Sequence, residues 1–230
     1  MKYSHLFFDL DRTLWDFEKN AKEALTEMYN HFDLVNLGIS SPDVFIEKYN
    51  IHNEHLWSLY RVGKIDKDSL RSYRFQLSLN DFKIDNHKLA ADLGDMYVNS
   101  APYKTHLFPF THQVLKYLKT KYQLHIITNG FEEVQHVKLK QSKLDVYFDK
   151  VITSEQIGVK KPDSKIFNYA LSSVNAKLSE SLMIGDDFPV DILGAKNIGM
   201  DQIYFNPYDN KIDGKPTFEI SCLSELLRLL

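Results

Sequence analysis

The sequence predicts an α/β protein with a parallel sheet that is interrupted, after its first strand, by an all-helical segment. From residue 123 onward, short apolar runs typical of buried strands alternate with helical periodicity, and this alternation indicates βαβ units. Residues 16–100 show helical periodicity and no strand pattern. The apolar run at residues 5–8 must join the later strands, so we predict a sheet core at 1–14 and 105–230 and a helical insertion at 15–104.

The insertion is predicted to hold four helices. Ser41 is a favourable N-cap for the second of them and Pro42 suits its first turn, while Asp66 is the predicted N-cap of the third. The apolar face of the third helix is predicted to carry Leu70, Tyr73 and Leu77. The first and fourth helices are predicted at about residues 18–32 and 86–99.

Strands and helices alternate in the remainder of the chain. Strands are predicted at residues 123–128, 150–153, 181–185 and 202–205. Helices are predicted at residues 111–121, 132–144, 164–174, 189–197 and 222–230. Because ligands of open α/β sheets bind beyond the carboxyl ends of the strands, the polar residues that follow each strand are the candidates for chemistry.

Composition restricts the partners and the compartment. The net charge of −3 offers no basic surface, so we expect no nucleic-acid polymer as a partner. The single cysteine excludes an intrachain disulfide and fits a reducing compartment. No apolar run is long enough to span a bilayer, so we expect no membrane association and a cytoplasmic location.

Two carboxylates, Asp9 and Asp11, stand where the first predicted strand ends. Two like charges this close are costly unless something neutralises them, and Mg²⁺ takes oxygen ligands of this kind. The pair therefore indicates either a metal-assisted site, in which Asp9 is a nucleophile and Asp11 handles a proton, or an acidic turn without chemistry. The other strand ends decide between these interpretations.

Thr128-Asn129-Gly130 ends the second predicted strand. Its hydroxyl, its backbone N–H groups and the start of the next helix could bind an anion, although Asn-Gly is also a common turn pair. Lys161, just before Pro162 and another helix, could neutralise a phosphate as a compact charge or could lie in a solvated loop.

Three further carboxylates surround the end of the 181–185 strand. Asp186 directly follows that strand and would complete an oxygen-rich Mg²⁺ site with Asp9 and Asp11. Asp187 or Asp191 could support the site through water, or could instead cap the short helix that follows.

These four stretches, in this order and each at a strand end, resemble the four motifs of the haloacid dehalogenase superfamily of phosphohydrolases. The resemblance covers the whole sheet core and implies a Rossmann-like parallel sheet. The helical insertion stands where that superfamily places its C1 cap domain. Thr128 through Gln135, Lys138-Leu139, Tyr147-Phe148-Asp149 and Lys161-Pro162 are similar to the branch of pyrimidine 5′-nucleotidases.

The resemblance implies a role for each matching residue. Asp9 would be the nucleophile that forms an aspartyl-phosphate, and Asp11 would protonate the leaving oxygen and then deprotonate water. Thr128, Asn129 and Lys161 would hold phosphoryl oxygens. Asp9, the Asp11 carbonyl and Asp186 would hold Mg²⁺. The substrate would be a small phosphate ester, with a pyrimidine nucleoside 5′-monophosphate expected.

Arg12 is a departure from the superfamily pattern, which most often has glycine there to ease a tight turn. Three residues could face the leaving group: Trp15 by stacking on a base, and Arg71 and Arg74 by meeting an anion, although packing and solvation explain them as well.

Two other functions compete with a phosphatase. A 2-haloacid dehalogenase would use the same nucleophile but needs no acid such as Asp11, and a catalytically silent phospho-binding protein would not need the full set of residues.

Overall fold

The computed structural model describes residues 2–230, which fold into two compact units. The first unit consists of residues 2–17 and Thr105–Leu230, and the second of Glu18–Lys104. We refer to them as the sheet unit and the helical unit. No helix of the described residues is both long and apolar enough to cross a membrane.

The sheet unit contains a six-stranded parallel sheet in the order β3-β2-β1-β4-β5-β6. Its strands are β1 (His5–Phe8), β2 (Gln123–Thr128), β3 (Lys150–Thr153), β4 (Ser181–Gly185), β5 (Asp201–Phe205) and β6 (Phe218–Ile220). The α/β fold with a parallel sheet is therefore as predicted. The edge strand β6 was not predicted, because three residues are too short for a recognisable pattern and only pairing with β5 defines them.

Alternate side chains of the buried strands point into two hydrophobic cores, one on each face of the sheet. Leu6 and Phe8 of β1 lie in the core that also contains Trp15. Phe7 lies in the opposite core, against Ile166 and Phe167 of a helix that follows β3. Both faces of β1 are buried, which explains why this strand is a continuous apolar run rather than an alternating one.

Helices connect the strands of the sheet unit. They are α5 (Thr111–Leu118), α6 (Glu132–Gln141), α7 (Ser154–Ile157), α8 (Ser164–Ser173), α9 (Leu193–Asn197) and α10 (Leu226–Leu229). The predicted helix at 189–197 begins as a π-helical turn, Phe188–Ile192, before α9. The predicted helix at 222–230 is shorter than expected, because the Glu225 side chain accepts from the backbone N–H of Ser221 and Cys222 and holds a 3₁₀ turn ahead of α10.

The helical unit contains four helices, as predicted: α1 (Phe17–His31), which begins one residue before the unit, α2 (Pro42–Arg61), α3 (Lys67–Asn80) and α4 (His87–Ser100). Ser41 and Asp66 act as N-caps, with their side chains accepting from Val44 N and Ser69 N. The predicted apolar face of α3 was wrong in part. Tyr73 is 52% exposed and Leu77 is only half-buried, whereas Arg74 and Phe75 are buried together with Leu70. The buried face of α3 is the one that contacts the aromatic side chains of α2 and α4.

Backbone hydrogen bonds hold residues 14–16 to the sheet unit. Phe108 N donates to Leu14 O at 3.0 Å, and Asp16 N donates to His106 O at 3.0 Å. The boundary of the sheet unit consequently falls after Phe17, three residues beyond the one that the sequence suggested.

Candidate active site

Asp9 lies directly beyond β1, at the edge where the parallel strands end. Its backbone N–H donates to Ile184 O of β4 at 2.9 Å, so the sheet register extends through this residue. Its carboxylate is buried and accepts from Lys161 Nζ at 2.6 Å. Burial raises the pKa of Asp9, the Lys161 ammonium opposes that rise, and the Asp11 charge adds to it.

Lys161 is the main cation of this site and is only 2% exposed. Its ammonium group donates hydrogen bonds to Asp9 Oδ1 at 2.6 Å and Ile127 O at 2.7 Å, and it forms an ion pair with Asp191 Oδ1 at 2.7 Å. Burial alone would lower the pKa of Lys161, but the Asp191 and Asp9 carboxylates outweigh it and raise the pKa above its ordinary value. Lys161 is therefore a fixed positive charge beside Asp9.

Asn129 orients the segment that carries Lys161. The Asn129 side chain donates to Lys161 O at 2.9 Å and accepts from Lys161 N at 2.8 Å. This reciprocal pair joins the end of β2 to the lysine loop and fixes the orientation of the Asn129 amide. Thr128 Oγ1 accepts from Gly130 N at 3.0 Å, which leaves the hydroxyl hydrogen of this buried residue to donate to another group.

Asp186 and Asp191 bring two more carboxylates to the same edge. Asp186 follows β4 and accepts from Thr13 Oγ1 at 3.0 Å. Burial raises the pKa of Asp186 well above its ordinary value, and repulsion from Asp9 and Asp191 adds to the effect. Asp191 is 1% exposed, and burial, opposed by Lys161, raises its pKa to about 7.

Gly185 makes room for Asp191. A Cβ at this glycine would lie 2.7 Å from the Cβ of Asp191 and 2.6 Å from its carboxylate carbon, closer than nonbonded carbons approach. The absence of a side chain at Gly185 leaves space for Asp191, the buried partner of Lys161.

Asp187, in contrast, caps the turn after β4. Its side chain accepts from Val190 N at 3.2 Å, which agrees with the prediction that it could cap the short helix.

The Asp11 carboxylate faces α6 rather than Asp9. Lys138 Nζ lies 2.5 Å from Asp11 Oδ1, and Gln135 Nε2 donates to Asp11 Oδ2 at 3.0 Å. Sequence reasoning did not include Lys138 and Gln135 among the site residues. Their spacing of three residues at the start of a helix that follows a sheet strand is the signal that could have found them.

The backbone conformation of Arg12 explains why the superfamily most often has glycine at this position. Its φ is 65°, in the left-handed region that most residues avoid because of their Cβ. Arg12 N donates to Trp15 O at 2.9 Å, and the guanidinium lies 4.5 Å from the centre of the Phe17 ring. Its charge also lowers the pKa of Asp186, against the larger effect of burial.

The three residues predicted to face a leaving group each have partners within their own unit. Trp15 is 1% exposed, with the Lys138 ammonium 4.2 Å from its ring centre and Phe17 against its edge, so its ring is buried rather than open to stack on a base. Arg71 pairs with Asp95 at 2.9 Å. Arg74 is 4% exposed within the helical unit, 4.6 Å from the ring centre of Tyr97.

The residues present fit a divalent cation. One carboxylate oxygen from each of Asp9, Asp186 and Asp191 lies within 4.8 Å of the others. Oxygen-only donors suit Mg²⁺, and a divalent cation would offset the repulsion from neighbouring carboxylates, which adds to the larger effect of burial in raising the pKa values of these three groups. Asp9 and Asp186, both predicted ligands, lie in this cluster, together with Asp191, which also pairs with Lys161.

Comparison with known proteins identifies the family of this chain. The family model for haloacid dehalogenase-like hydrolases matches residues 6–205. The chain belongs to this family. It is 32% identical to pyrimidine 5′-nucleotidase YjjG of Escherichia coli strain K12, covering 100% of this chain and 99% of the relative, and 32% identical to pyrimidine 5′-nucleotidase PynA of Streptococcus pneumoniae, covering 100% and 96%.

A solved structure is similar over the same length. The magnesium-bound putative HAD-hydrolase YfnB of Bacillus subtilis superposes with a TM-score of 0.89 at 27% identity, covering 100% of this chain and 99% of that one. The resemblance to haloacid dehalogenase-like hydrolases that the sequence suggested is therefore confirmed.

Proposed function

We propose that this hydrolase is a Mg²⁺-dependent phosphomonoesterase that acts through an aspartyl-phosphate on Asp9. The observation that carries the proposal is the buried Asp9 carboxylate, held by Lys161 at 2.6 Å and followed two residues later by a second carboxylate, Asp11. A nucleophile and a proton-transfer group at one strand end are what phosphoryl transfer through a covalent intermediate requires.

The chain's own residues account for each bond that changes. An Asp9 oxygen attacks phosphorus as the ester P–O bond breaks, and Asp11 gives its proton to the leaving oxygen. Water then attacks the phosphorus of the aspartyl-phosphate and passes a proton to Asp11, which releases phosphate and restores Asp9. Lys161 and the Thr128 hydroxyl hold phosphoryl oxygens, as does the backbone N–H of Asn129. Mg²⁺, held by Asp9, Asp186 and the Asp11 carbonyl, would offset phosphate charge that otherwise repels Asp9.

Asp191 supports this arrangement through Lys161. It contacts the ammonium at 2.7 Å, and so keeps the lysine in place when Asp9 becomes phosphorylated and loses its negative oxygen. We assign Asp191 a positioning role, while Asp187 caps the following turn.

A nucleoside 5′-monophosphate, with a pyrimidine base, is the proposed substrate. The names of the two nucleotidase relatives support this choice, since each is similar to this chain over nearly its whole length. We propose that the helical unit, residues 18–104, serves as the cap that selects the leaving group. Arg71, which is partly exposed, stays a candidate for this selection, whereas the burial of Trp15 and Arg74 argues for packing roles.

The test is phosphate release from a panel of phosphate monoesters with and without Mg²⁺, with 2-chloropropionate run beside it for halide release. Mg²⁺-dependent release that is fastest on pyrimidine monophosphates supports the whole proposal. Release without nucleotide preference keeps the chemistry and rejects the substrate. Halide release alone would indicate a dehalogenase, and no release of either kind a binding protein.

Asp9→Asn is the variant that tests the nucleophile, because it keeps the shape of the side chain and removes its nucleophilic charge. We expect turnover to fall by at least about 10⁴-fold while circular dichroism stays that of the folded chain. Asp145→Asn, at an exposed aspartate outside the carboxylate cluster, is the matched control. Near-normal turnover by a folded Asp9→Asn protein would reject Asp9 as the nucleophile.

A further inference from the structure

Two side chains of α6 hold the Asp11 carboxylate, one on each oxygen. Lys138 Nζ lies 2.5 Å from Oδ1 and Gln135 Nε2 lies 3.0 Å from Oδ2. Gln135 is 124 positions from Asp11 in the sequence and Lys138 is 127 positions away, so the contact depends on the packing of α6 against the β1 end. We call Lys138 and Gln135 the Asp11 clasp.

The surroundings of Lys138 make this more than a surface ion pair. Lys138 is 6% exposed, and its ammonium lies 4.2 Å from the centre of the Trp15 ring and 6.0 Å from that of Phe17. Exposed lysine–carboxylate pairs contribute little, whereas a desolvated ammonium over an aromatic face is attracted to it. Trp15 and Phe17 thus hold the Lys138 ammonium next to the Asp11 carboxylate. Among the described residues, Asp11 is the ion-pair partner of Lys138.

The chain also reserves space for Gln135. A Cβ at Gly130 would overlap the Gln135 side-chain amide, with its Cδ only 2.5 Å away. Gln135 is itself buried. The glycine that follows Thr128-Asn129 therefore permits the amide to reach Asp11, and this observation is independent of the aromatic residues that hold Lys138.

We propose that Lys138 and Gln135 are positioning residues that set Asp11 for both proton transfers, with Lys138 as the permanent anchor and Asp11 Oδ2 as the oxygen that carries the proton. This rests on the proposed phosphatase function. The assignment of oxygens follows from the strength of the two contacts: the charge-assisted bond to Oδ1 is stronger than the longer, neutral amide bond to Oδ2. Breaking the amide contact costs less, so Oδ2 is the oxygen that turns to the substrate.

The clasp makes a specific prediction about leaving groups. In the first step the proton moves from Asp11 Oδ2 to the leaving oxygen as the P–O ester bond breaks, and this help matters for an alkoxide and little for p-nitrophenolate, which is a stable anion. In the second step Oδ2 takes a proton from the attacking water, whatever the leaving group was. Loss of positioning should therefore show a dependence on leaving group in kcat/KM, which reports the first step.

The experiment compares Lys138→Met, Lys138→Arg and Lys140→Met in the full chain with Mg²⁺, on a nucleoside 5′-monophosphate and on p-nitrophenyl phosphate. Lys140 is exposed on the same helix and serves as the matched control. For Lys138→Met we expect kcat/KM to fall about hundredfold on the nucleotide and less than about tenfold on p-nitrophenyl phosphate. We also expect a burst of one p-nitrophenolate per enzyme, since the second step becomes limiting. Lys138→Arg should recover part of the loss.

Equal losses in kcat/KM on both esters, or no loss on either, would contradict the proposed role of the clasp in positioning Asp11. If the wild-type chain releases phosphate from neither ester, the proposed function fails, and the clasp is then judged by a double-mutant cycle of Lys138→Met with Asp11→Asn in urea unfolding. Non-additive shifts of the unfolding midpoint support the coupling of these two residues, and additive shifts reject it.

Discussion

The buried histidine pair of the sheet predicts a specific loss of stability in mild acid. His5 Nδ1 and His125 Nε2 lie 3.1 Å apart and the rings stack, with Phe7 beyond His125. Burial lowers the pKa of His125 to about 4, with the neighbouring His5 acting in the same direction, and burial lowers the pKa of His5 as well. The folded chain thus resists protonation that the unfolded chain accepts.

Thermodynamic linkage between protonation and folding gives the direction and the size of the change in the free energy of unfolding. A pKa of 6.5 in the unfolded chain and about 4 in the folded chain means that the contribution of His125 is complete above pH 6.5 and is lost as the pH falls toward 4. At pH 5 the expected loss from His125 alone is about 2 kcal/mol, and its limit below pH 4 is about 3 kcal/mol. The lowered pKa of His5 acts in the same direction.

The assay is urea unfolding at a series of pH values for His125→Phe and its parent. Both carry Trp57→Phe, which leaves Trp15 of the sheet unit as the single tryptophan and reports that unit by fluorescence. The free energy of unfolding of the parent minus that of the variant should decrease by about 2 kcal/mol between pH 8 and pH 5. His87→Gln, an exposed control, should leave the slope unchanged. A difference that stays flat over this range, or grows in acid, would refute the reasoning.

Two further predictions concern buried polar groups. In Gly185→Ala the new methyl group would collide with Asp191 and separate it from Lys161, so we expect the free energy of unfolding to fall by about 3 kcal/mol and turnover to fall with it; unchanged urea unfolding would contradict the packing argument. In Arg74→Met the helical unit loses hydrogen bonds to Tyr49 and Asn53, and we expect about 2 kcal/mol less protection of its amides from hydrogen exchange. Protection equal to that of the parent would mean that the buried guanidinium contributes nothing.

Local patterns were sufficient to predict most helices and strands, because periodicity and end signals are properties of short segments. Ser41 and Asp66 start helices for the reason that their side chains accept from backbone N–H groups three residues on. Local patterns were not sufficient to predict which face of α3 is buried. Tyr73 and Arg74 are adjacent, and only the aromatic side chains of α2 and α4 decide that the arginine is the buried one.

The sequence by itself determined the order of strands and helices and the residues at strand ends, including Asp9 and Asp186. Parallel strands end at one edge of a sheet, so residues that follow them meet there without further information. Only the tertiary structure decided which charge contacts which. The pairing of Lys161 with Asp191, and of Asp11 with Lys138, depends on the packing of helices over the sheet. Such contacts join distant segments through side chains whose partners no local pattern specifies.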